Sequence, residues 1–410
     1  MSIARLITIA AIRVLRLFVR RLIAISFVVS ALGCVSVPER HPLPPDLIKH
    51  ASIPSVPHAR FWGDEWPAVS KEMFVTFSDA ELRQYYPSIY AKPHNYLAIS
   101  GGGANGAFGA GLLLGWTATG ERPEFTMVTG ISTGALTAPF AFLGPDYDDD
   151  LKILYTTMKT SDIVKKRNLI SAVFSDSIAD TTPLQDLIEK FIDAEMVDAI
   201  AQEYKKGRRL FISTVNLDAG RAVTWNIGVI AASDYPNKLA LIHDVLRASA
   251  AIPIAFPPVV IPVEAEGQQY DEMHVDGGTA SQVFVYPEAM NWGLITQKLK
   301  VQGEPHVYVI RNSFLDPDYQ GINRSLLPIA TRTIDSLIRT QGAGDLYRIY
   351  AMCVRDGNDF NLAYIPSDFT DKPIEDFDPI YMKKLLDRGY QMAMDGYPWE
   401  KAPPGFILEP

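Results

Sequence analysis

The stretch Tyr96-Leu97-Ala98-Ile99-Ser100-Gly101-Gly102-Gly103-Ala104-Asn105-Gly106 decides the fold class of this chain. Its first five residues form a short apolar run that predicts a buried strand, and the glycines end that run before a helical pattern from Ala107 to Thr119. A second strand is predicted at 125–129, with a helix opening at Gly134. Repeated strand–loop–helix units predict a three-layer α/β/α domain with a mainly parallel central sheet.

The loop after the second predicted strand, Gly130-Ile131-Ser132-Thr133-Gly134, has the G-x-S-x-G form of a nucleophile elbow. Such an elbow holds a serine on a sharp strand-to-helix turn, so Ser132 is the predicted nucleophile. A serine that attacks a carbonyl also needs a base and donors for the oxyanion. The alternative is an ordinary turn in which Ser132 only caps the helix.

The first loop is the predicted source of the oxyanion donors. Gly102 and Gly103 have no side chain, so their N–H groups can approach a substrate. The same loop also has the G-x-G-x-x-G spacing of a dinucleotide site, but that reading needs an acidic residue at the end of the second strand. Gly130-Ile131-Ser132 stands there instead. A Walker loop is excluded because no Gly-Lys-Ser/Thr follows.

Asp276-Gly277-Gly278 follows a predicted hairpin formed by residues 259–264 and 270–275. Asp276 is the predicted base, and the two glycines permit a tight turn beside it. A turn without catalytic function is the alternative. His274 lies two residues earlier on the same strand, where it is poorly placed to relay a proton between Asp276 and a serine.

These motifs, in this order, resemble those of the patatin-like phospholipases, which carry G-G-G-x-[RK]-G, then G-x-S-x-G, then D-G-[GA]. Two runs, 212–220 and 248–258, resemble further segments of that family, so the resemblance spans residues 96–311. It implies a patatin-like fold and hydrolysis of a lipid acyl ester by a Ser132–Asp276 dyad without histidine, through an acyl-enzyme and without a cofactor. Asn105 departs from the pattern, because the family has arginine or lysine there. The motif glycines are Gly101, Gly106, Gly130, Gly134, Gly277 and Gly278.

The N-terminus has the layout of an export signal. Residues 1–33 contain five arginines and no acidic residue, and the apolar run from Leu22 to Leu32 precedes Gly33-Cys34. This resembles a bacterial lipoprotein signal, which implies lipidation of Cys34 and, because Val35 follows, an outer-membrane lipoprotein facing the periplasm. An uncleaved anchor in the inner membrane is the alternative, although its arginines disfavour a membrane span.

The sequence predicts five segments: a signal peptide at 1–33, a Pro-rich tether at 34–60, an N-terminal packing segment at 61–95, a catalytic domain at 96–312 and a C-terminal helical extension at 313–410. The net charge of −9, without a basic patch beyond the N-terminus, disfavours nucleic acid as a partner. The seven histidines show no metal-ligand spacing, so no metal is expected. Two rival functions stay open: an acyltransferase with the same dyad, and a non-catalytic tethered binding protein.

Overall fold

The structure is a computed structural model that describes residues 39–166, 179–316, 319 and 321–406. The predicted signal peptide and Cys34 lie outside the described residues. The strands are β1 (Arg60–Trp62), β2 (Asn95–Ile99), β3 (Met127–Gly130), β4 (Lys165–Lys166), β5 (Ala179–Asp180), β6 (Arg209–Asn216), β7 (Arg221–Asn226), β8 (Val259–Ala265), β9 (Gln268–Asp276), β10 (His306–Arg311) and β11 (Asp359–Tyr364). The helices are α1 (Ala68–Thr76), α2 (Asp79–Tyr85), α3 (Gly106–Ala118), α4 (Thr133–Leu143), α5 (Asp148–Thr157), α6 (Thr182–Phe191), α7 (Ala194–Lys205), α8 (Ile227–Ala232), α9 (Lys238–Ser249), α10 (Trp292–Lys298), α11 (Leu326–Asp356) and α12 (Pro379–Met394).

The central sheet has the strand order β1-β7-β6-β3-β2-β10-β11, and the β8–β9 hairpin joins it through β9 and β6. The pairings from β6 through β3, β2 and β10 to β11 are parallel, whereas β1, β7 and β9 pair antiparallel with their neighbours. The predicted α/β class with a mainly parallel core is therefore confirmed, with an antiparallel flank. The separate β4–β5 pair is a two-stranded sheet.

Alternate residues of β2 enter different hydrophobic clusters, which lie on the two faces of the sheet. Leu97 and Ile99 belong to one cluster, together with residues of α3, α4 and α12. Tyr96 and Ala98 belong to the other, together with residues of α10 and α11. Because side chains alternate along a strand, this assignment places helices on both faces and makes the three layers.

Helices α3 and α12 approach each other closely. A Cβ atom built on Gly111 of α3 would lie only 2.0 Å from the carbonyl oxygen of Leu386 in α12, and one on Gly389 would lie 2.3 Å from that of Phe108. Glycine is therefore required at both contacts, and α12 is fastened directly to the helix that follows the first glycine-rich loop.

The N-terminal segment differs from the free tether predicted for residues 34–60. Four apolar side chains within 41–59 are buried in the core: Leu43, Ile53, Val56 and Ala59. Backbone bridges also join Pro42 to Asp271 and Ser52 to Glu264 on the β8–β9 hairpin. Prolines exclude regular helix and central strand, but they do not prevent an irregular segment from packing its apolar residues.

The C-terminal extension also departs from the prediction. Residues 313–410 are not only helical, because β11 extends the sheet beside β10. Earlier in the chain, α6 and α7 are separate helices, and Asp193 between them accepts a hydrogen bond from the Met196 N–H at 2.8 Å as the N-cap of α7. None of the helices in the described ranges has the length and apolar content needed to cross a membrane.

Candidate active site

The loops that carry the predicted motifs meet at the carboxyl ends of the parallel strands. Ile99 of β2 lies beside Gly130 of β3 on one side and Ile310 of β10 on the other. The loops that follow these three strands must therefore lie side by side. Asp276 is the last residue of β9, and it pairs with Thr214 in the last third of β6. Ser100 and Asn312, which are 212 positions apart in sequence, are thereby brought together beside one cavity.

Ser132 occupies a strained turn between β3 and α4. Its backbone has φ of 56° and ψ of −125°, a conformation that non-glycine residues rarely adopt. Gly134 permits the turn, since a Cβ atom there would lie 2.3 Å from the carbonyl oxygen of Ile99. The side chain of Ser132 makes no hydrogen bond that would identify it as the N-cap of α4. The local geometry is that of a nucleophile elbow rather than of an ordinary cap.

Ser249, the last residue of α9, holds the elbow in place. Its hydroxyl accepts a hydrogen bond from the N–H of Ser132 at 3.0 Å and donates one to the carbonyl oxygen of Ser213 on β6 at 2.8 Å. Ser249 is fully buried. The strained turn is thus tied to the neighbouring strand through a single hydroxyl, which stabilises a conformation that would otherwise cost about 1–3 kcal/mol.

Asp276 lies against Ser132, and both residues are buried at the wall of the same cavity. Its carboxyl group interacts with the Ser132 hydroxyl and accepts a hydrogen bond from the Gly278 N–H at 2.7 Å. Burial raises its pKa to about 7, although both of these hydrogen bonds lower it. Asp276 is therefore able to take a proton near neutral pH, which an exposed aspartate does poorly.

The first glycine-rich loop runs beside the elbow. A Cβ atom on Gly101 would lie 3.2 Å from the Ser132 Cβ. The Gly101 N–H is already donated to the carbonyl oxygen of Gln282 at 3.1 Å. The N–H groups of Gly102 and Gly103 have no hydrogen-bond acceptor within the described part of the chain, and both residues line the cavity that contains Ser132. The structure thus leaves two donors available there.

Asn312, directly after β10, fixes the path of that loop. Its N–H donates to the Ser100 hydroxyl at 2.9 Å, its amide nitrogen to the Ser100 carbonyl oxygen at 3.0 Å, and its Oδ1 accepts from the Gly109 N–H at 3.1 Å. A Cβ atom on Gly102 would lie 2.2 Å from the Asn312 carbonyl oxygen, so only glycine fits against this residue.

Gln282 connects the first loop to the turn after Asp276. Besides accepting from Gly101, it donates through Nε2 to the carbonyl oxygen of Gly278 at 2.8 Å. Its own N–H donates to Oδ2 of Asp345 in α11 at 2.5 Å. Helix α11 is therefore part of the support of the site, although it follows the site residues in sequence.

His274 takes no part in the contact between Ser132 and Asp276. Its Nδ1 hydrogen bonds to the Thr214 hydroxyl at 2.9 Å and its Nε2 to Oε2 of Glu272 at 3.1 Å. The ring is fully buried, and this burial lowers the histidine pKa. Burial alone would raise the pKa of Glu272, but His274 and the ion-paired Arg60 hold it at about 2. Both ring nitrogens thus have structural partners.

The cavity at Ser132 has a volume of about 410 Å³. Its wall is formed by both glycine-rich loops, the Asp276 turn, residues 311–316 and one side of α11. In the described ranges, no three histidine, cysteine or acidic side chains are grouped to hold a metal ion.

Residues 97–287 match the family model described as Patatin-like phospholipase. The resemblance read from the motifs is confirmed over this segment, and the domain has the patatin-like α/β fold. No curated protein matches the chain. Among solved structures, VipD from Legionella pneumophila is 14% identical with a TM-score of 0.36, covering 74% of this chain and 66% of that one. Human GIVD cytosolic phospholipase A2 is 11% identical with a TM-score of 0.31, covering 76% of this chain and 52% of that one. The chain spans less than two thirds of the length of either.

Asn105, the departure from the patatin-like motif, contacts α12. Its Oδ1 accepts a hydrogen bond from the Tyr381 hydroxyl at 2.7 Å. A lysine or arginine side chain offers no acceptor for this hydroxyl. The departure therefore accompanies a specific contact between the first glycine-rich loop and the C-terminal helix.

Several residues around this candidate site were not singled out from the sequence: Arg311, Asn312, Gln282 and Asp345. Each of them is polar and buried. Ser249 lay within the segment 248–258 that suggested the resemblance, but its role is set by its tertiary contacts. The available signal was a polar residue directly after an apolar strand, as Asn312 follows β10.

Proposed function

We propose that this protein is a lipid acyl hydrolase, a carboxylic ester hydrolase of the phospholipase A or lipase type. The observation that carries the proposal is the buried contact between Ser132 and Asp276, whose pKa is raised to about 7 by burial. The match of residues 97–287 to a phospholipase family supports the choice of a lipid ester as substrate.

In this proposal Ser132 Oγ attacks the ester carbonyl carbon while its proton passes to the Asp276 carboxylate. The N–H groups of Gly102 and Gly103 stabilise the oxyanion that develops on the carbonyl oxygen. Collapse of the tetrahedral intermediate breaks the ester bond, and Asp276 returns the proton to the departing alcohol. An acyl-enzyme remains on Ser132. A water oxygen then attacks the acyl carbon while Asp276 takes its proton. When the second tetrahedral intermediate collapses, the bond to Ser132 Oγ breaks, Asp276 returns the proton to Oγ, and the fatty acid leaves.

The experiment is labelling with a fluorophosphonate probe, combined with hydrolysis of a phospholipid, a diacylglycerol and a short p-nitrophenyl ester. We expect Ser132→Ala to abolish both labelling and hydrolysis. Ser233→Ala, which removes a hydroxyl bonded only locally, to the Ile230 carbonyl oxygen and the Tyr235 N–H, is the matched control and should keep both. Labelling that persists in Ser132→Ala contradicts the assigned nucleophile.

Two outcomes would favour the rival functions. Transfer of the acyl group to an added alcohol or lysolipid faster than to water would identify an acyltransferase. A wild-type protein that neither reacts with the probe nor cleaves any ester would indicate a binding protein.

We further propose that Cys34 is lipidated and anchors the enzyme to the outer membrane, facing the periplasm. The support is the sequence alone: an arginine-bearing start, the apolar run that ends at Leu32, and Gly33-Cys34. Stable attachment requires more than one acyl chain, which a lipoprotein N-terminus supplies. Membrane fractionation and mass spectrometry of the N-terminal peptide, for wild type and Cys34→Ser, test this. An unmodified Cys34 still joined to residues 1–33 would favour the uncleaved anchor.

A further inference from the structure

Arg311 is a buried cation in the wall of the candidate active site. It is the last residue of β10, directly before Asn312, and only 3% of its surface is exposed. Its Nη1 is enclosed and has no hydrogen-bond partner among the described residues, and Arg311 is one of the residues that line the cavity containing Ser132. A buried polar group without a partner is rare in folded proteins, because it loses its contacts with water without compensation.

The residues around Arg311 stabilise its positive charge but leave its guanidinium without a full set of hydrogen bonds. Gly342 of α11 makes room for the guanidinium, since a Cβ atom there would lie 2.2 Å from Nη2. Asp345 is the acidic residue that stabilises the charge, yet its two oxygens are bonded to Arg348 and to the Gln282 N–H. Burial lowers the pKa of Arg311 to about 10, with Asp345 opposing the shift, so the side chain stays protonated at neutral pH.

Other buried arginines in the domain are paired. Arg208 donates through Nε to the Phe125 carbonyl oxygen and through Nη1 to Glu203, both at 2.8 Å. Arg122 donates through Nη1 to Asp148 at 2.7 Å. Arg311 differs from both because its Nη1 has no hydrogen-bond partner among the described residues and because the residue lines a cavity.

The chemistry of the cavity favours an anion near Arg311. A guanidinium binds phosphate and carboxylate oxygens through two parallel hydrogen bonds, and such charge-assisted bonds are the strongest that side chains make. Arg332 and Arg339 of α11 line the same cavity, whereas its acidic lining residues are Asp276 and Asp316. This local excess of positive charge contrasts with a chain whose net charge is −9.

We infer that Arg311 binds the phosphate of a phospholipid whose acyl ester lies at Ser132, and so selects phospholipids over neutral glycerides. This inference names the substrate class of the proposed hydrolase and rests on that proposal. The phosphate would supply the acceptor that the described residues do not provide for this guanidinium. The ester and the phosphate of a glycerophospholipid are a few bonds apart, so one cavity of this size can hold both groups.

The first experiment measures binding without turnover. Ser132→Ala protein is titrated calorimetrically with dihexanoyl phosphatidylcholine below its critical micelle concentration and with dihexanoylglycerol. Adding Arg311→Gln should weaken binding of the phospholipid by about 10- to 100-fold and leave that of the neutral lipid within about 3-fold. Inorganic phosphate and hexanoate are the competitors. Displacement by phosphate supports a headgroup site, whereas displacement by hexanoate alone would assign Arg311 to the fatty-acid product and overturn the inference.

The second experiment compares kcat/KM on the same two lipids in otherwise wild-type protein. Arg311→Gln should lower the ratio of phospholipid to diacylglycerol hydrolysis, mainly through KM, and Arg311→Lys should restore part of it. Arg208→Gln, a buried arginine remote from the cavity, is the matched control and should lower thermal stability without changing the ratio. If Arg311→Gln does not fold, Arg311→Lys replaces it, because the charge remains while the planar fork is lost.

The outcomes separate the two proposals. Equal losses on both lipids would make Arg311 a structural residue and overturn the inference, as would an unchanged ratio, and in both cases the hydrolase assignment stands. Conversely, Arg311-dependent phosphate binding in a protein that cleaves no ester would remove the hydrolase assignment and leave a phosphate site.

Discussion

The backbone N–H of Ser132 donates to the hydroxyl of Ser249 across 3.0 Å. The two residues are 117 positions apart, and the same hydroxyl donates to the Ser213 carbonyl oxygen on β6. Ser249 therefore stabilises the strained backbone of the elbow. It is fully buried and does not line the cavity, so it cannot contact a substrate carbonyl. Asp276 is linked to the same block through its N–H, which donates to the Ala251 carbonyl oxygen at 3.0 Å. Residues 249–251, at the end of α9, thus position both members of the proposed dyad.

Ser249→Ala should reduce both stability and activity. Removing the hydroxyl leaves the Ser132 N–H and the Ser213 carbonyl oxygen buried without partners, which costs about 1–3 kcal/mol. We expect kcat to fall by about tenfold as the elbow relaxes. Urea unfolding and ester hydrolysis measure the two effects, with Ser233→Ala as the control that loses only local hydrogen bonds. Full activity with unchanged stability would show that the elbow does not depend on Ser249.

The pH profile of kcat/KM should report Asp276 in the free protein. Catalysis needs the carboxylate, and burial raises its pKa to about 7, so activity should rise with pH through about 7 and level off above it. A soluble neutral ester keeps substrate ionisation out of the profile. Asp276→Asn should lose most of the activity, on the order of 10⁴-fold, at every pH. A midpoint near 4 would mean that the base is solvated and would contradict the buried site.

The core of the site was readable from sequence because each motif directly follows a strand. The apolar runs before Gly101 and Gly130 predicted β2 and β3, and parallel neighbours bring their carboxyl ends together. Asp276 followed from its hairpin in the same way. Local spacing was enough for these residues, since their positions depend on the strand that each one ends.

The residues that hydrogen bond to the motif loops could not be predicted from the sequence, because their contacts depend on tertiary neighbours. Nothing near Gln282 in sequence indicates that it hydrogen bonds to both Gly101 and Gly278. The same holds for the hydrogen bond from its N–H to Asp345. Residues 41–59 were misread for a related reason: prolines suggest an extended chain, while the buried Ile53 and Val56 are anchored by the distant β8–β9 hairpin. Strand β11 was missed because its six residues follow a long helix, and its ladder partner β10 lies 53 positions earlier in sequence.

His274→Ala should separate a structural histidine from a catalytic one. The ring is buried against Trp225, with centroids 5.5 Å apart, and bridges Thr214 to Glu272. Its removal should cost roughly 2–4 kcal/mol of stability, because it leaves a cavity and unpaired polar groups. Activity measured well below the melting temperature should stay within about tenfold of wild type, far above that of Asp276→Asn. A folded His274→Ala protein as inactive as Asp276→Asn would place the histidine in the proton path.

Asp276→Asn should be more stable than wild type at alkaline pH. The folded pKa of about 7 lies above the ordinary value of 3.8, so folding favours the protonated carboxyl group. Its contribution to stability is complete below about pH 4 and is lost as the pH rises through 7, by on the order of 4 kcal/mol. Asparagine does not ionise and keeps an oxygen to accept from the Gly278 N–H, so it avoids this loss.

Urea unfolding of both proteins at pH 5 and pH 9 measures the effect, with the exposed Asp234→Asn as control. The gain from Asp276→Asn should grow with pH, because only the wild type must ionise a buried carboxyl group; a gain that is constant with pH would mean that Asp276 is solvated, and the dyad would lose its near-neutral base.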